Sequence, residues 1–203
     1  MIKAQHLSFV YDVVKEKNVY QNGESRCPFC HRGELSEILD EQGSIVLVRN
    51  KFSTLANAFQ AVLVETDDCG ADISTYDPLH MRRVVTFGID HWLAMEGSGE
   101  YESVVFYKNH GPQSGGTIDH AHMQIVGFEN IDYKLHLKDE FFEGIDIVRD
   151  GECSLNVSTK PKASAVEFNI VCSCRNDEFM AESIQNIVRF VLGWCGSYNL
   201  FFY

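Results

Sequence analysis

Residues Lys108–Phe128 read KNHGPQSGGTIDHAHMQIVGF, and this stretch decides how the rest of the chain is interpreted. The apolar run Tyr101–Asn109 predicts a β-strand that leads into a loop, after which a second apolar strand returns. The loop has three glycines and the second strand three polar residues at alternate positions: Gly111, Gly115 and Gly116, then His120, His122 and Gln124. Side chains alternate along a strand, so the polar triplet shares one face. Glycines let backbone N–H groups approach an anion, so the pattern favours a phosphate site over two surface histidines on an edge strand.

The same residues resemble a known superfamily. Asn109, the glycine loop up to Thr117 and the His-x-His-x-Gln motif ending at Gln124 are similar to the histidine triad (HIT) superfamily. Glutamine at the last motif position resembles the galactose-1-phosphate uridylyltransferase-like nucleotidyltransferase branch, since the hydrolases carry a third histidine there. The resemblance implies an α+β fold, with a HIT-like antiparallel sheet and a long helix packed across it.

The resemblance also implies that His122 is a nucleophile that forms a covalent nucleotidyl-imidazole intermediate. General chemistry agrees, because an imidazole with a pKa of about 6.5 is neutral and nucleophilic near neutral pH. Gln124 and the backbone of Gly115, Gly116 and Thr117 can donate hydrogen bonds to phosphate oxygens. Asn109 is predicted to hold the loop or to contact His122.

The function that follows is transfer of a nucleoside monophosphate from a nucleotide-sugar or dinucleotide donor to a phosphate-bearing acceptor. Two alternatives stay open at this point. One is a HIT-type hydrolase of nucleotide conjugates, in which water is the acceptor. The other is a zinc-stabilised module that binds nucleotides without catalysis.

A second segment bears on substrate binding. Asn50-Lys51-Phe52 connects two apolar runs, Ser44–Val48 and Phe59–Glu65, that predict a hairpin with a wide connection. It resembles the Asn-Asp-Phe segment with which the uridylyltransferases hold base and ribose, with lysine in the middle position here. The resemblance implies that Asn50 and Phe52 bind substrate. For Phe52 alone, the alternative is a hydrophobic turn that covers the sheet.

Seven cysteines are spread unevenly along the chain: Cys27, Cys30, Cys69, Cys153, Cys172, Cys174 and Cys195. A disulfide framework would favour an even number and a signal peptide, so reduced thiols are expected. The Cys27-Pro28-Phe29-Cys30 turn is typical of half a tetrahedral zinc site. A thioredoxin-type redox pair is the alternative, but it requires a buried strand in front of the first cysteine. The last three cysteines match no metal pattern and are predicted to be core residues.

The resemblance completes the metal site. The uridylyltransferases have a zinc-binding histidine where Cys69 stands, and the first histidine of their motif, here His120, is the fourth ligand. Thiolate sulfur binds zinc as well as imidazole does, so we predict a closed, structural Zn²⁺ site formed by Cys27, Cys30, Cys69 and His120. His110 is a competing candidate ligand.

Composition limits the classes of partner. The chain has 203 residues, and its net charge of −12 argues against a nucleic-acid surface. It has no apolar stretch of the roughly 20 residues that span a membrane and no signal-peptide pattern, so a cytoplasmic location is expected. The apolar end, Asn199–Tyr203, predicts a strand that lies in the sheet or is covered by a partner, such as a second copy in a homodimer.

The longest helix is predicted at Tyr76–Glu96, with Asp77 as its cap and Pro78 at its first position. After Phe128 the chain becomes acidic and less regular, and then predicts a strand, a helix from about Glu178 to Gly193, and a last strand. We therefore predict two domains. Residues 1–128 form a HIT-like catalytic half with a zinc knuckle, and residues 129–203 form a degenerate or abbreviated second half packed on it.

Overall fold

The structure is a computed structural model that describes residues 6–13, 15, 27–35, 37–116, 118–162 and 166–203. Thr117, a predicted substrate-binding residue, lies outside the described residues. The chain divides into two compact units. The first unit comprises Met1–Asp72, Phe87–Asp132 and Gly196–Tyr203, and the second comprises Ile73–Thr86 and Tyr133–Cys195.

An antiparallel sheet of six strands forms the first unit. Its strands are β1 (Ile38–Gln42), β2 (Ile45–Arg49), β3 (Ala58–Val64), β4 (Ser103–His110), β5 (His122–Phe128) and β9 (Tyr198–Phe202). They lie in the order β1-β2-β3-β5-β4-β9, so the histidine strand β5 is central. The predicted hairpin between β2 and β3 is confirmed, and the apolar last strand lies in the sheet as an edge.

Helix α1 (Pro78–Gly97) begins as the sequence predicts. The Asp77 carboxylate accepts hydrogen bonds from the backbone N–H groups of Leu79 and His80, both at 3.0 Å. These bonds satisfy donors that have no partner inside the helix. In the first unit the helix lies close to the sheet at Gly88, where a Cβ atom would clash with the ring of Phe106.

The two faces of the sheet differ in what covers them. Phe106 and its register partner Ile125 are fully buried on the helix side. The other face carries a buried valine cluster that packs against Phe29, formed by Val46, Val48, Val62 and Val64. His122 pairs with Val64, and Gln124 pairs with both Val62 and Tyr107, so both motif side chains lie on this second face.

The second unit has its own sheet and core. Strands β6 (Gly144–Asp150), β7 (Cys153–Ser158) and β8 (Phe168–Cys172) are antiparallel, and helix α2 spans Asp177–Leu192. Leu155 and Phe179 are buried in this core. Cys153 and Cys172 lie opposite each other in register and form a disulfide. The expectation of reduced thiols is therefore wrong for this pair, and Cys174, predicted to be a core residue, is exposed.

The predicted α+β class, with a large antiparallel sheet and one long helix, is confirmed. The division into halves at residue 128, with a degenerate second half, stays a prediction. Within the described residues, no helix has the length and apolar character that crossing a bilayer requires.

Candidate active site and metal centre

The candidate site is built around three consecutive backbone carbonyl groups at the start of β5. The His120 carbonyl accepts a hydrogen bond from Nδ1 of His122 (2.8 Å), and the Ala121 carbonyl accepts one from the N–H of Glu65 (3.1 Å). The His122 carbonyl accepts one from Nζ of Lys108 (3.2 Å). Since every carbonyl of this segment has a donor, the backbone that carries both histidines is fixed.

His122 has a defined tautomer. Its Nδ1 donates to a carbonyl, which can only accept, so Nδ1 carries the proton and Nε2 keeps its lone pair. The ring is half-buried beside Phe29, with ring centroids 5.4 Å apart. Burial lowers the pKa of His122 below its usual value, although the hydrogen bond with His120 opposes this shift. The imidazole is therefore neutral at pH 7, and its Nε2 is nucleophilic.

A buried ion pair supports this segment. Lys108 and Glu65 are 1 % and 0 % exposed, and Nζ of Lys108 contacts Oε1 of Glu65. Burying two charges costs free energy that only good geometry and further hydrogen bonds offset. The further bond here is the one from Nζ to the His122 carbonyl. The sequence interpretation missed this pair, because isolated Lys and Glu residues usually lie on the surface.

Four potential metal ligands converge on one point, formed by Cys27, Cys30, Cys69 and His120. Their ligand atoms all lie within 4.8 Å of one another. Nδ1 of His120 is 3.4 Å from Sγ of Cys27 and 3.7 Å from Sγ of Cys30. Tetrahedral zinc, with bonds of about 2.0–2.3 Å, separates its ligand atoms by about 3.5–3.8 Å. This set of residues could therefore bind a metal ion.

The chemistry of the donors fits the same conclusion. Nε2 of His120 donates to the Thr66 carbonyl at 2.8 Å, which leaves the lone pair on Nδ1, facing the sulfurs. Burial and hydrogen bonds with Cys30 and Cys27 raise the pKa of Cys69 to about 12. The Cys69 thiol therefore resists ionisation unless a cation neutralises the thiolate, and a bound metal ion would supply that charge.

The glycine loop lies beside the end of β4. Ser114 Oγ donates to the Gly111 carbonyl (2.7 Å) and accepts the N–H of Gly116 (3.2 Å), which closes a tight turn. Gly111 has a φ of +82°, and a Cβ atom there would clash with the backbone of Gly196. Gly115, also with positive φ, is exposed at the tip of the turn. The loop is compact, and the N–H of Gly116 already has a partner within it.

Comparison with known proteins gives the family. The N-terminal domain of a family described as a domain of unknown function, DUF4931, matches residues 9–131, and the C-terminal domain of the same family matches residues 134–203. The chain belongs to the DUF4931 family. A crystal structure of a DUF4931 family protein from Bacillus cereus ATCC 10987 is 42% identical, with a TM-score of 0.80, over 82% of this chain and 79% of that one.

The DUF4931 fold is also similar to that of uridylyltransferase-like enzymes. An ADP-glucose phosphorylase from Arabidopsis thaliana, with bound ADP-glucose, gives a TM-score of 0.64 at 14% identity over 90% of this chain and 76% of that one. A GalT-like protein from Arabidopsis thaliana gives 0.62 at 15% identity over 87% and 74%. At such identities the likeness shows a shared fold. No match was found among curated proteins.

Two other predicted site residues of this DUF4931 protein, Asn50 and His110, have contacts of their own. Asn50 follows β2, where its Oδ1 accepts the N–H of Phe52 (3.0 Å) and shapes the turn. His110, the competing metal ligand, stacks on Tyr198 instead, with centroids 4.8 Å apart and an interplanar angle of 18°. Burial lowers the pKa of His110. The group of four potential metal ligands therefore includes Cys69 and not His110.

Proposed function

We propose that this DUF4931 protein is a nucleotidyltransferase of the HIT superfamily, whose donor is a nucleotide sugar or a dinucleotide. The observation that carries the proposal is the hydrogen bond from Nδ1 of His122 to the His120 carbonyl. It leaves the lone pair on Nε2 of a half-buried imidazole, on a backbone fixed at three consecutive carbonyl groups. The shared fold with uridylyltransferase-like structures supports the same class.

The reaction runs in two displacements. Nε2 of His122 attacks the α-phosphorus of the donor, a P–N bond forms, and the P–O bond to the sugar phosphate or second nucleotide breaks. A phosphate oxygen of the acceptor then attacks the same phosphorus, and the P–N bond breaks. The product is a new nucleotide conjugate, and His122 regains its lone pair.

Charge develops on the non-bridging phosphate oxygens during both steps. We assign hydrogen-bond donation to these oxygens to Gln124, which shares the sheet face of His122, and to Asn109 and the N–H of Gly115. Gly116 and Thr117, which the sequence predicts as further donors, follow Gly115 in the chain. Asn50 and Phe52 are proposed to contact the base and ribose of the donor.

The metal in this proposal is structural Zn²⁺, held by the cysteines Cys27, Cys30 and Cys69 and by Nδ1 of His120. A closed site with four protein ligands cross-links the N-terminal turn to the segment in front of β5. This cross-link supplies rigidity to the backbone that carries His122. A cytoplasmic location and a homodimer stay predictions.

Intact-protein mass spectrometry tests the proposal. The protein is incubated separately with UDP-glucose, UDP-galactose, ADP-glucose and diadenosine tetraphosphate, without an acceptor. We expect the mass of one nucleoside monophosphate to be added, and the mass gain to identify the base. His122→Ala should abolish the adduct, whereas His136→Ala, which removes an exposed histidine of the second unit, should leave it unchanged.

Four outcomes contradict parts of the proposal. No adduct on the wild type with any donor, or an undiminished adduct on His122→Ala, removes the nucleophile assignment. Release of free nucleoside monophosphate at the same rate with and without galactose 1-phosphate or inorganic phosphate identifies a hydrolase instead. Nucleotide binding without adduct or turnover identifies a binding module.

A further inference from the structure

The last strand of the first unit brings a second asparagine to the glycine loop. Nδ2 of Asn199, on β9, donates to Oδ1 of Asn109 (2.6 Å) and to the carbonyl of Ser114 (3.0 Å). Asn199 and Asn109 are register partners in the pairing of β9 with β4, although they are 90 residues apart in the chain. The side chain of Asn199 therefore links the end of β4 to the turn that follows it.

This contact determines which way the Asn109 amide faces. An asparagine amide has an accepting oxygen on one side and a donating NH₂ group on the other. Both bonds from Asn199 use its NH₂ group, and they hold the oxygen of Asn109 towards β9. The NH₂ group of Asn109 must then face the opposite way. Among the described residues it has no acceptor, and the side chain is only half-buried.

We propose that Asn199 is a positioning residue that orients the Asn109 amide as a hydrogen-bond donor for an oxyanion at the glycine loop. The oxyanion is a phosphoryl group, and its assignment to a nucleotide rests on the proposed function. Without Asn199, the Asn109 amide can rotate and present its oxygen, which repels a negatively charged phosphate. The effect of Asn199 on the ligand acts through Asn109.

The loop has anchors to the same strand that do not involve either amide. Ser197 Oγ accepts the N–H of Gln113 at 3.1 Å, and Tyr198 stacks on His110. Gly111 packs tightly against the backbone of Gly196. Because these contacts do not involve the Asn199 side chain, we expect that the orientation of one amide can be tested separately from the position of the loop.

The test compares Asn199→Asp with Asn199→Ala, and uses Asn186→Ala, on the exposed side of α2, as the matched control. The carboxylate of Asn199→Asp still pairs with Asn109, but only by accepting from its NH₂ group, so the amide is held in the reversed orientation. Binding of UMP, AMP and inorganic pyrophosphate is measured by isothermal titration calorimetry, which requires no turnover. Thermal melting checks the fold of each variant.

We expect Asn199→Asp to weaken binding of the tightest probe by about 10-fold to 100-fold, the effect of losing a hydrogen bond to a charged group and placing an acceptor there. Asn199→Ala, which frees the amide, should weaken it by roughly threefold to tenfold. Asn186→Ala should change it by less than about twofold. In the mass-spectrometry assay, the rate of adduct formation should be lowest for Asn199→Asp, higher for Asn199→Ala and highest for the control variant.

A role of Asn199 that does not act through Asn109 predicts another result, because Asn199 also donates to the Ser114 carbonyl, where aspartate would place a negative charge. If Asn199 acts through Asn109, Asn199→Ala should cause no further loss of binding in an Asn109→Ala background. An equal loss in both backgrounds overturns the proposal. The same holds if the wild type binds none of the three probes. Loss of binding in the predicted order without any adduct on the wild type supports the positioning role and contradicts the transferase. If the adduct forms at the same rate in both Asn199 variants, the result supports the transferase and contradicts the positioning role.

Discussion

The two units bury their polar groups in different ways. In the first unit the side chains of Lys108, Glu65 and His120 are at most 1 % exposed. Lys108 and the backbone of Glu65 bond to the segment that carries His122, and the ring of His120, within that segment, bonds to the Thr66 carbonyl. Among the described residues of the second unit, the buried polar side chains are neutral, and they include the amides of Asn156 and Asn169. Asn169 donates to Asn156 (3.1 Å), and Asn156 donates to the Phe142 carbonyl (3.1 Å).

The two units differ in how much free energy the burial of their polar groups costs. Buried charges and metal ligands are costly, and they fix atoms more stringently than neutral hydrogen bonds do. The first unit concentrates such groups within a few residues of His122. The second unit uses amides to hold the carbonyl groups of the chain that precedes β6. We therefore expect polar substitutions to cost more in the first unit than in the second.

The largest effect should come from the metal ligands. Cys69→Ser should lower the zinc content from about one ion per chain to a trace and reduce the free energy of unfolding by more than roughly 5 kcal/mol, since structural zinc contributes about 10–16 kcal/mol in zinc-finger peptides. Atomic emission and urea denaturation measure the two quantities. Cys174→Ser, which changes an exposed thiol of the second unit, is the control and should leave both unchanged. Equal zinc content in the two variants contradicts the metal site.

The second effect concerns the ion pair. Lys108→Met leaves the Glu65 carboxylate buried without its cation, and removing one partner of such a pair costs about 3–5 kcal/mol. Urea denaturation at pH 7 measures this loss. The matched variant is Lys108→Met combined with Glu65→Leu, which removes both charges and should recover most of the stability. Retained stability in the single variant means that the two groups do not form a buried ion pair.

A smaller effect is expected from the amides of the second unit. Asn156→Ala removes the hydrogen bond to the Phe142 carbonyl and the bond from the Asn169 amide, which keeps its bond to the Phe141 carbonyl. The loss of these two bonds should cost about 1–3 kcal/mol. Asn186→Ala, on the exposed side of α2, should stay within about 0.5 kcal/mol of the wild type. If Asn156→Ala costs as much as Lys108→Met, the contrast between the units is wrong.

The smallest effect concerns a partly exposed charge of the second unit. Hydrogen bonds from Arg175 and Thr86 lower the pKa of Asp177, against the opposing effect of burial. A lowered pKa in the folded state stabilises the protein above the unfolded pKa of about 3.9, and this contribution is lost as the pH falls through the folded pKa. Asp177→Asn should therefore reduce the melting temperature slightly at pH 7. The difference in melting temperature between the wild type and the variant should become smaller towards pH 3. A difference that does not depend on pH contradicts this account.

Local patterns in the sequence predicted much of the fold. The 3.6-residue period gave α1 with its cap at Asp77, and the two-residue alternation placed His122 and Gln124 on one face. Strand β1 was missed, because Ile38–Gln42 is a mostly polar, exposed edge strand without a buried face. Cys27 and Cys30 were identified from their C-x-x-C spacing, and Cys69 and His120 through the resemblance. The structure brings the four residues together.

The residues that the sequence interpretation missed were missed for one physical reason, which is that their partners lie far away in the chain. Lys108 and Glu65 are 43 residues apart, and single charged residues in apolar strands carry no local signal of their partner. Asn199 is 90 residues from Asn109, in the part of the chain that the resemblance does not reach. Such contacts follow from the strand order, in which β9 returns to β4, and this order is a long-range property of the fold.

The return of β9 has a practical consequence for truncation. The N-terminal family domain ends at residue 131, whereas β9 lies within the C-terminal family domain and pairs with residues Phe106–His110 of β4. A shortened chain that stops at that family boundary exposes the N–H and C=O groups of β4 along an apolar edge. Such an edge recruits strands from other molecules, so the shortened protein is expected to aggregate. An expression trial of the first unit must therefore include residues 196–203.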